Sequence, residues 1–584
     1  MKELKHINKY FYKYKWSLLL GIVITIAAKI FSLFTPRLIG QSINVISDRL
    51  DGKISADVFK DELGWKILLL IGAAIIAGIF TFFMRQTIIN VSRYVEYDLK
   101  NEVYQQYQRL SLSFYKSNRT GDLMNRISED VGKVRMYAGP AIMYTINTIT
   151  LFAVALIYMF STAPLLTFYT ILPLPILSFI IYKLSKVIHR KSTVVQEYLS
   201  NLSAYTQESF SGIAVIKSYG IETKNYDDFT ALSEESKQKQ IDLAKVQALF
   251  FPSMILLIGI SNVLVAYIGG VQYMNGEIDN IGTIAEFLIY VNMLTWPVAT
   301  VGWVTNLVQQ AEASQKRINE FLKEEPEIKN HQSEPTAISG AIEFKDVTFI
   351  YPDTNIQALT DVTFTLNDGE TMVILGKTGS GKSTILDLIG RLYDVQKGSI
   401  KIDGTIIDQV NLISLRNSIG YVPQDAFLFS DTIENNIMFG KEDATEDEVI
   451  QAAKNAQVHK NIMKFNKGYQ TKLGERGITL SGGQKQRISI ARAIIKSPEI
   501  LLFDDCLSAV DTETEEKILN NLKQVSEGKT TVIVSHRVSS AKNADKVIVL
   551  EDGKIIQSGN HHQLIAQDGY YKDLYTKQLS SKDL

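Results

Sequence analysis

Residues 371–384 read Thr-Met-Val-Ile-Leu-Gly-Lys-Thr-Gly-Ser-Gly-Lys-Ser-Thr. The run Thr371–Leu375 is short and apolar, as a buried strand is, and it leads straight into Gly376-Lys377-Thr378-Gly379-Ser380-Gly381-Lys382-Ser383. That is the phosphate-binding pattern G-x-x-x-x-G-K-[ST], and helix-forming residues Thr384–Leu392 follow it. Glycines let backbone N–H groups curl around phosphates. Lys382 reaches the β and γ oxygens, and the Ser383 hydroxyl ligates Mg²⁺. A strand before and a helix after are the context this motif needs, so the stretch predicts a nucleotide site in an α/β P-loop domain.

Working outward, Ala341–Phe349 and Gln357–Leu366 alternate in polarity like antiparallel strands. Further on, Ile500–Phe503 is an apolar strand that ends in Asp504 and Asp505. An acid there can hold Mg²⁺ opposite the phosphate loop, and the other reading is a strand end capped by a solvated acid pair. Leu480-Ser481-Gly482-Gly483-Gln484 opens a helix expected over Lys485–Ile495. A serine and two glycines at a helix N-terminus supply free amides and the positive dipole end for an anion, and they also serve as a plain helix cap.

Upstream of residue 340 the chain changes character. A mean hydropathy of +0.03 averages two unlike halves. The runs Trp16–Phe34, Trp65–Phe83, Ala141–Phe160, Leu165–Leu184, Leu249–Met274 and Thr283–Val308 each approach the roughly 20 apolar residues that cross about 30 Å of hydrocarbon. They predict six membrane helices, at about 16–40, 65–85, 138–160, 164–184, 249–274 and 283–308. Five lysines precede the first span, from Lys2 to Lys15, and the loops after spans two and four carry nine Lys or Arg each. The opposite loops are acidic, with Asp48, Asp51, Asp57, Asp61 and Glu62 in the first. This asymmetry puts the N-terminus and the second half in the cytoplasm, and the expected location is the cytoplasmic (inner) membrane. The first run is too long for a secretory signal, and its basic, aromatic lead-in suits a helix in the membrane interface. In the long segment after span two, Val95, Leu99, Val103 and Tyr107 fall four apart, so the spans should continue as helices into the cytoplasm. Polar breaks marked by glycine interrupt both long segments, at Asn118–Asp122 and Ser209–Gly212. A solvated hairpin turn and a short docking helix are both open there. Residues 1–310 therefore form the membrane domain, 311–340 a polar acidic linker and 341–584 the soluble domain, with an antiparallel β and a helical subdomain.

Composition closes off other classes. The net charge is −1, and neither half shows the clustered Lys/Arg excess of a nucleic-acid binder. A hydrophobic content of 46% excludes a disordered chain, and one cysteine excludes intrachain disulfides and Cys-based zinc clusters.

The motif set, in this order, resembles the ATP-binding-cassette (ABC) transporters, over nearly the whole chain. On that resemblance Tyr351 in Phe-Ile-Tyr-Pro stacks on adenine. Gln424 in Tyr-Val-Pro-Gln touches Mg²⁺ along with Ser383 and Asp504. Gly474-Glu475-Arg476-Gly477 is similar to the exporter X-loop, Ser508 to Asp511 to the D-loop, and His536 to the switch histidine at the γ-phosphate. Asn118–Arg126, with Gly121 and Asp122, and Gln207–Gly212, with Ser211 and Gly212, resemble coupling loops of six-span exporters. The resemblance implies half a transporter that pairs with a second half-transporter, as homodimer or heterodimer. Each ATP, with Mg²⁺, then lies between the phosphate loop of one cassette and Leu480–Gln484 of the other. It implies export of a lipid, drug or peptide-like substrate by alternating access.

One position departs from the family pattern. Active members carry Glu after the Mg²⁺-binding acid, as general base or water positioner; here it is Asp505, one methylene and about 1.5 Å shorter. Such a substitution marks the slow site of heterodimeric members, so a slowly hydrolysing, regulatory or channel-like subunit is the alternative function. Cys506 reads as a small buried residue, and a fused cysteine-peptidase domain is not expected. Lys29 in span one should face protein or an aqueous cavity, where it is a candidate cargo-pathway residue for an anionic lipid or substrate. Trp296 and Trp303, seven apart on one helix face, either line a cargo cavity or pack at the membrane interface. Pro173, Pro175, Pro252 and Pro297 predict local helix breaks.

Overall fold

A computed structural model describes residues 2–474, 480–506 and 512–580. The chain divides into two compact units, Met1–Tyr107 with Gly121–Lys323, and Gln108–Thr120 with Glu324–Leu584.

The first unit is helical. Five of its helices are long and apolar enough to cross a bilayer among the described residues: Lys15–Leu50, Ala56–Arg109, Thr120–Thr162, Glu222–Met274 and Gly282–Leu322. The fourth expected span, 164–184, instead falls on two helices, Pro164–Ile171 and Pro173–Ser211, with Leu172 between them. Pro173 has no N–H for the helix ladder and its ring crowds the carbonyl four residues back, so a break is expected at this place. The same geometry explains the irregular residues 248–249, four and three before Pro252. Pro297 differs from expectation, because it lies inside the continuous helix Gly282–Leu322. Apolar side chains from several helices, among them Leu33, Leu151, Met159, Leu166, Val265, Phe287 and Leu294, meet in a buried core. The helix after span two does run on: Val95, Leu99 and Val103 are fully buried on one stripe of Asn90–Arg109. At the N-terminus, the short helix Asn8–Lys13, which follows Glu3–Ile7, is tied to that helix by Lys9 Nζ on Glu102 (2.6 Å) and Lys13 Nζ on Asp98 (2.7 Å).

The second unit holds two sheets. The described strands are β1 Ile342–Ile350, β2 Gln357–Leu366, β3 Thr371–Gly376, β4 Lys397–Ile402, β5 Thr405–Ile406, β6 Ile419–Val422, β7 Ile500–Asp504, β8 Thr530–Val534, β9 Lys546–Glu551 and β10 Lys554–Gly559. An antiparallel sheet has the order β2-β1-β4-β5. The other has the order β10-β9-β3-β8-β7-β6, parallel except at the β9–β10 edge. Every residue of β7 and β8 is buried, as the unbroken apolar runs require of strands covered on both faces. The smaller helical part includes Glu446–Asn455 and Gly482–Ile495, packed on each other and on Leu428, Ile433 and Ile437.

Candidate functional site

The parallel order sets the site. In β10-β9-β3-β8-β7-β6, β3 and β7 flank β8, so the loop after β3 and the acids that end β7 emerge on the same carboxyl edge. Ligands of open α/β sheets lie outside such an edge. There, a cavity of about 330 Å³ is lined by Tyr351, Ile356, Gln357, Ala358, Thr378, Gly379, Gly381, Lys382, Ser383, Thr384, Gln424, Asp504, Asp505, Val534 and His536. The sequence placed these residues as far as 185 positions apart, from Tyr351 to His536.

The loop is shaped for close approach. Gly376 has φ 150° and Gly381 φ 95°, and a Cβ would stand 2.2 Å from the Leu550 carbonyl at the first and 2.4 Å from the Ala358 carbonyl at the second. Only glycine fits both the torsion and the space. The helix expected over Thr384–Leu392 runs from Lys382 to Ile389 and stops against Gly390. Lys382 is 6% exposed, and its ammonium donates to the Gly376 carbonyl (3.0 Å) and the Lys377 carbonyl (2.7 Å). Burial lowers its pKa, with the nearby Asp505 and Asp504 opposing. Lys377 instead pairs outward with Glu551 at 2.7 Å. Ser380 Oγ is buried with no hydrogen-bond partner among the described residues. Ser383 Oγ donates to Asp504 Oδ1 at 2.9 Å, and burial raises the Asp504 pKa.

Asp505 lies next, half-buried, with its N–H donated to the Val534 carbonyl (3.1 Å) and φ at 41°. That left-handed torsion is one aspartate adopts more readily than most residues. Gln424 is exposed at the cavity, and its carbonyl accepts from Gln486 Nε2 (3.1 Å). The His536 carbonyl accepts from Gln578 Nε2 (2.9 Å). Cys506 is buried, and burial pushes its thiol pKa up.

Leu480–Gln484 does not line this cavity. Its helix starts at Gly482, three residues earlier than expected, because Ser481 and Gln484 form a capping box. Both readings of the segment survive: Ser481 caps, and a Cβ at Gly482 would meet nothing within 4 Å, so the helix start is open to approach. Glu475, Arg476 and Gly477 of the X-loop, and Ser508 and Asp511 of the D-loop, lie outside the described residues.

The segment with the first glycine-marked break is divided between the two units. Gly121 and Asp122 lie in the helix Thr120–Asn125, and the residues that belong to the second unit are Gln108–Thr120. Within that unit Ser113 Oγ donates to Glu327 Oε2 (2.5 Å) and the Ile328 N–H to Ser111 Oγ (3.1 Å). Lys116 was missed from sequence, yet its ammonium stands 4.8 Å from the Tyr351 ring centroid. Only Ser111, a helix-start residue before Leu112–Ser117, marks this helix locally. In the second long segment, Ser211 ends one helix, Gly212 is its cap and Ile213–Tyr219 forms the next.

In the membrane unit the two tryptophans part company. Trp303 packs edge-to-face on Tyr144 (5.3 Å) and lines a cavity of about 420 Å³ with Arg85, Gln86, Asn90, Met136 and Met143. Trp296 is 63% exposed and outside that lining. Lys29 is half-buried and outside it as well.

A helical membrane unit joined in one chain to a P-loop cassette defines a half-transporter. The chain belongs to the ABC transporter family. Residues 18–298 match the ABC transporter transmembrane region and 359–508 the ABC transporter cassette. It is 36% identical to the probable multidrug resistance ABC transporter ATP-binding/permease protein YheI of Bacillus subtilis, over 98% of this chain and 97% of that one. With the multidrug resistance-like ATP-binding protein MdlA of Escherichia coli it shares 34% identity over 97% and 95%. An ATP-dependent lipid A-core flippase of Syntrophus aciditrophicus is 34% identical over 89% and 87%. The structure of a bacterial Atm1-family ABC exporter with ATP bound superposes with a TM-score of 0.80, at 25% identity, over 96% of this chain and 99% of that one. The chain is thus an integral membrane protein that binds ATP, couples its hydrolysis to transport and works as one half of a dimer.

Proposed function

We propose that the chain exports amphipathic molecules, of the drug or lipid kind, across the cytoplasmic membrane, with ATP held in the cavity at the carboxyl edge of the parallel sheet. The observation that carries the reading is the convergence there of Lys382, Ser383, Gln424, Asp504, Asp505 and His536. Lys382 and the amides of Gly376–Thr384 receive the phosphates, a role supported by the buried, unsatisfied Ser380 hydroxyl and by loop glycines that leave room for a polyanion. Tyr351 offers its ring to the base. Ser383, Asp504 and the Gln424 side chain are the hard oxygen donors suited to Mg²⁺, the first two already in contact. When bound, the ion neutralises charge on the β and γ phosphates. Asp505 and His536 orient the attacking water and the γ-phosphate, and Leu480–Gln484 serves the site of the other chain, because it does not line its own.

Domain boundaries at 1–310, 311–340 and 341–584, six spans with the N-terminus and cassette cytoplasmic, and cargo contact at Trp303 belong to the same reading. Relatives named for multidrug resistance and for lipid A-core flipping support the cargo class. Met136, Met143, Tyr144 and Trp303 give the cavity a soft, adaptable apolar wall, and Arg85, Gln86 and Asn90 give it a polar one, which suits amphipathic cargo. Asp505 favours a second reading in one respect, a slow site in a heterodimer that a partner's Glu-bearing site drives. The test is ATP hydrolysis in reconstituted vesicles by this chain alone and beside a co-encoded half-transporter. Fast hydrolysis alone supports the homodimer, hydrolysis only with the partner supports the slow site, and none in either case refutes the proposal.

A further inference from the structure

We propose that Lys116 is a positioning residue of the nucleotide site: its ammonium backs the aromatic platform of Tyr351 and thereby sets the affinity for base-bearing nucleotides. This rests on reading the cavity at the phosphate loop as the ATP site.

The Tyr351 ring is fixed from several directions. Phe349 meets it edge-to-face at 4.9 Å and Tyr393 does so at 5.5 Å. Its hydroxyl is 2.9 Å from Thr384 Oγ1, on the helix that follows the phosphate loop. The Lys116 ammonium completes the set, 4.8 Å from the Tyr351 centroid and 5.1 Å from that of Tyr393. Both ring–ring contacts are near-perpendicular, and a cation over an aromatic face is attracted by the electron-rich π cloud. Tyr351 lines the ATP cavity and Lys116 does not. The lysine is therefore not placed as a phosphate ligand; besides the two rings, it faces Asp387 of the helix that follows the phosphate loop.

The lysine is not on a loose arm. Its helix Leu112–Ser117 is anchored by the Ser113–Glu327 and Ser111–Ile328 hydrogen bonds, and Leu112 packs on the core of the antiparallel sheet. Yet the helix is spliced between Asn90–Arg109 and Thr120–Asn125, which continue into membrane helices. Base binding and the seating of this helix share one side chain. By linkage, whatever seating does to base affinity, bound base does to seating.

The experiment is calorimetric titration of the full-length chain in nanodiscs with Mg²⁺ and two probes, adenylyl imidodiphosphate and inorganic tripolyphosphate. Lys116→Met should weaken the first about two- to five-fold, the range of one partly exposed cation–π contact, and leave the second unchanged. Lys116→Arg, which keeps the cation, should restore wild-type affinity. Equal weakening of both probes, or no weakening of the nucleotide, overturns the proposal. Wild type that binds tripolyphosphate and the nucleotide equally well removes the platform role of Tyr351, and wild type that binds neither refutes the ATP-site reading itself.

Discussion

Replacing Asp505 by Glu should speed ATP hydrolysis at this chain's own site. Asp505 lies in the cavity with Lys382, Ser383, Gln424, Asp504 and His536, so the carboxylate is in the right neighbourhood and only its reach is in question. The added methylene extends it by about 1.5 Å without altering charge. General-base assistance is worth roughly 10²–10⁴-fold, and an ångström of misplacement forfeits about 10²-fold, so a gain approaching 10²-fold is expected. The backbone opposes the change modestly. With φ at 41°, the position is left-handed, and a longer side chain there costs about 1 kcal/mol of stability relative to one that adopts the torsion easily. That cost falls on ground and transition states alike and should lower stability, not turnover. The assay is single-turnover phosphate release in reconstituted vesicles, for the chain alone and beside a co-encoded half-transporter with an intact signature segment. Robust hydrolysis by wild type alone, slowed by glutamate, would refute the reasoning and leave Asp505 as the residue the torsion prefers.

Other outcomes test the rest of the site. Lys382→Ala should abolish labelling of the phosphate loop by a photoreactive ATP analogue, because Lys377 is committed outward to Glu551; unchanged labelling counts against the assignment. Gly381→Ala should cost at least tenfold in nucleotide affinity, since its Cβ would stand 2.4 Å from the Ala358 carbonyl, and equilibrium binding of a fluorescent nucleotide measures it. Trp303→Ala should alter cargo selectivity while basal ATPase holds, whereas Lys29→Met and Trp296→Ala, outside the cavity lining, should do less; vesicle transport of several cationic and anionic amphiphiles decides. Burial raises the Asp387 pKa to about 6, above its unfolded value, so its proton stabilises the folded cassette below about pH 4 and that contribution is lost as pH rises towards 6. Asp387→Asn should therefore slow amide exchange in Lys382–Ile389 at neutral pH and change little at pH 4.

Much of this molecule is written locally. The strand–loop–helix at 371–389, the β1–β2 pair and the long apolar helices follow from short-range periodicity and from glycines whose torsions no other residue shares. The order of motifs along the chain was enough to name the family. Prolines and helix starts depend on more than local rules. Pro173 coincides with a break in the fourth span, as its missing N–H and ring favour, but Pro297 was absorbed within a continuous helix. The signature helix began at Gly482 because Ser481 and Gln484 cap each other.

What only the tertiary structure decided are the relations across distance. Parallel pairing of β3 with β8, and of β8 with β7, brings residues 376–384 beside 504–505 and 536, and no local pattern encodes that order. The positive φ at Asp505 is set by its place at the end of β7, where its N–H bonds the Val534 carbonyl, and it gives the aspartate a conformational reason that the motif comparison lacked. Lys116 looked like one more charge in a basic segment. Its position over Tyr351 depends on a helix spliced between two membrane-unit helices yet packed with the cassette, a contact spanning 235 residues. Sequence fixes which groups are available within a turn or a strand; packing of elements far apart in the chain decides which of them meet, because burial of their apolar faces is a property of the whole assembly and not of any window of residues.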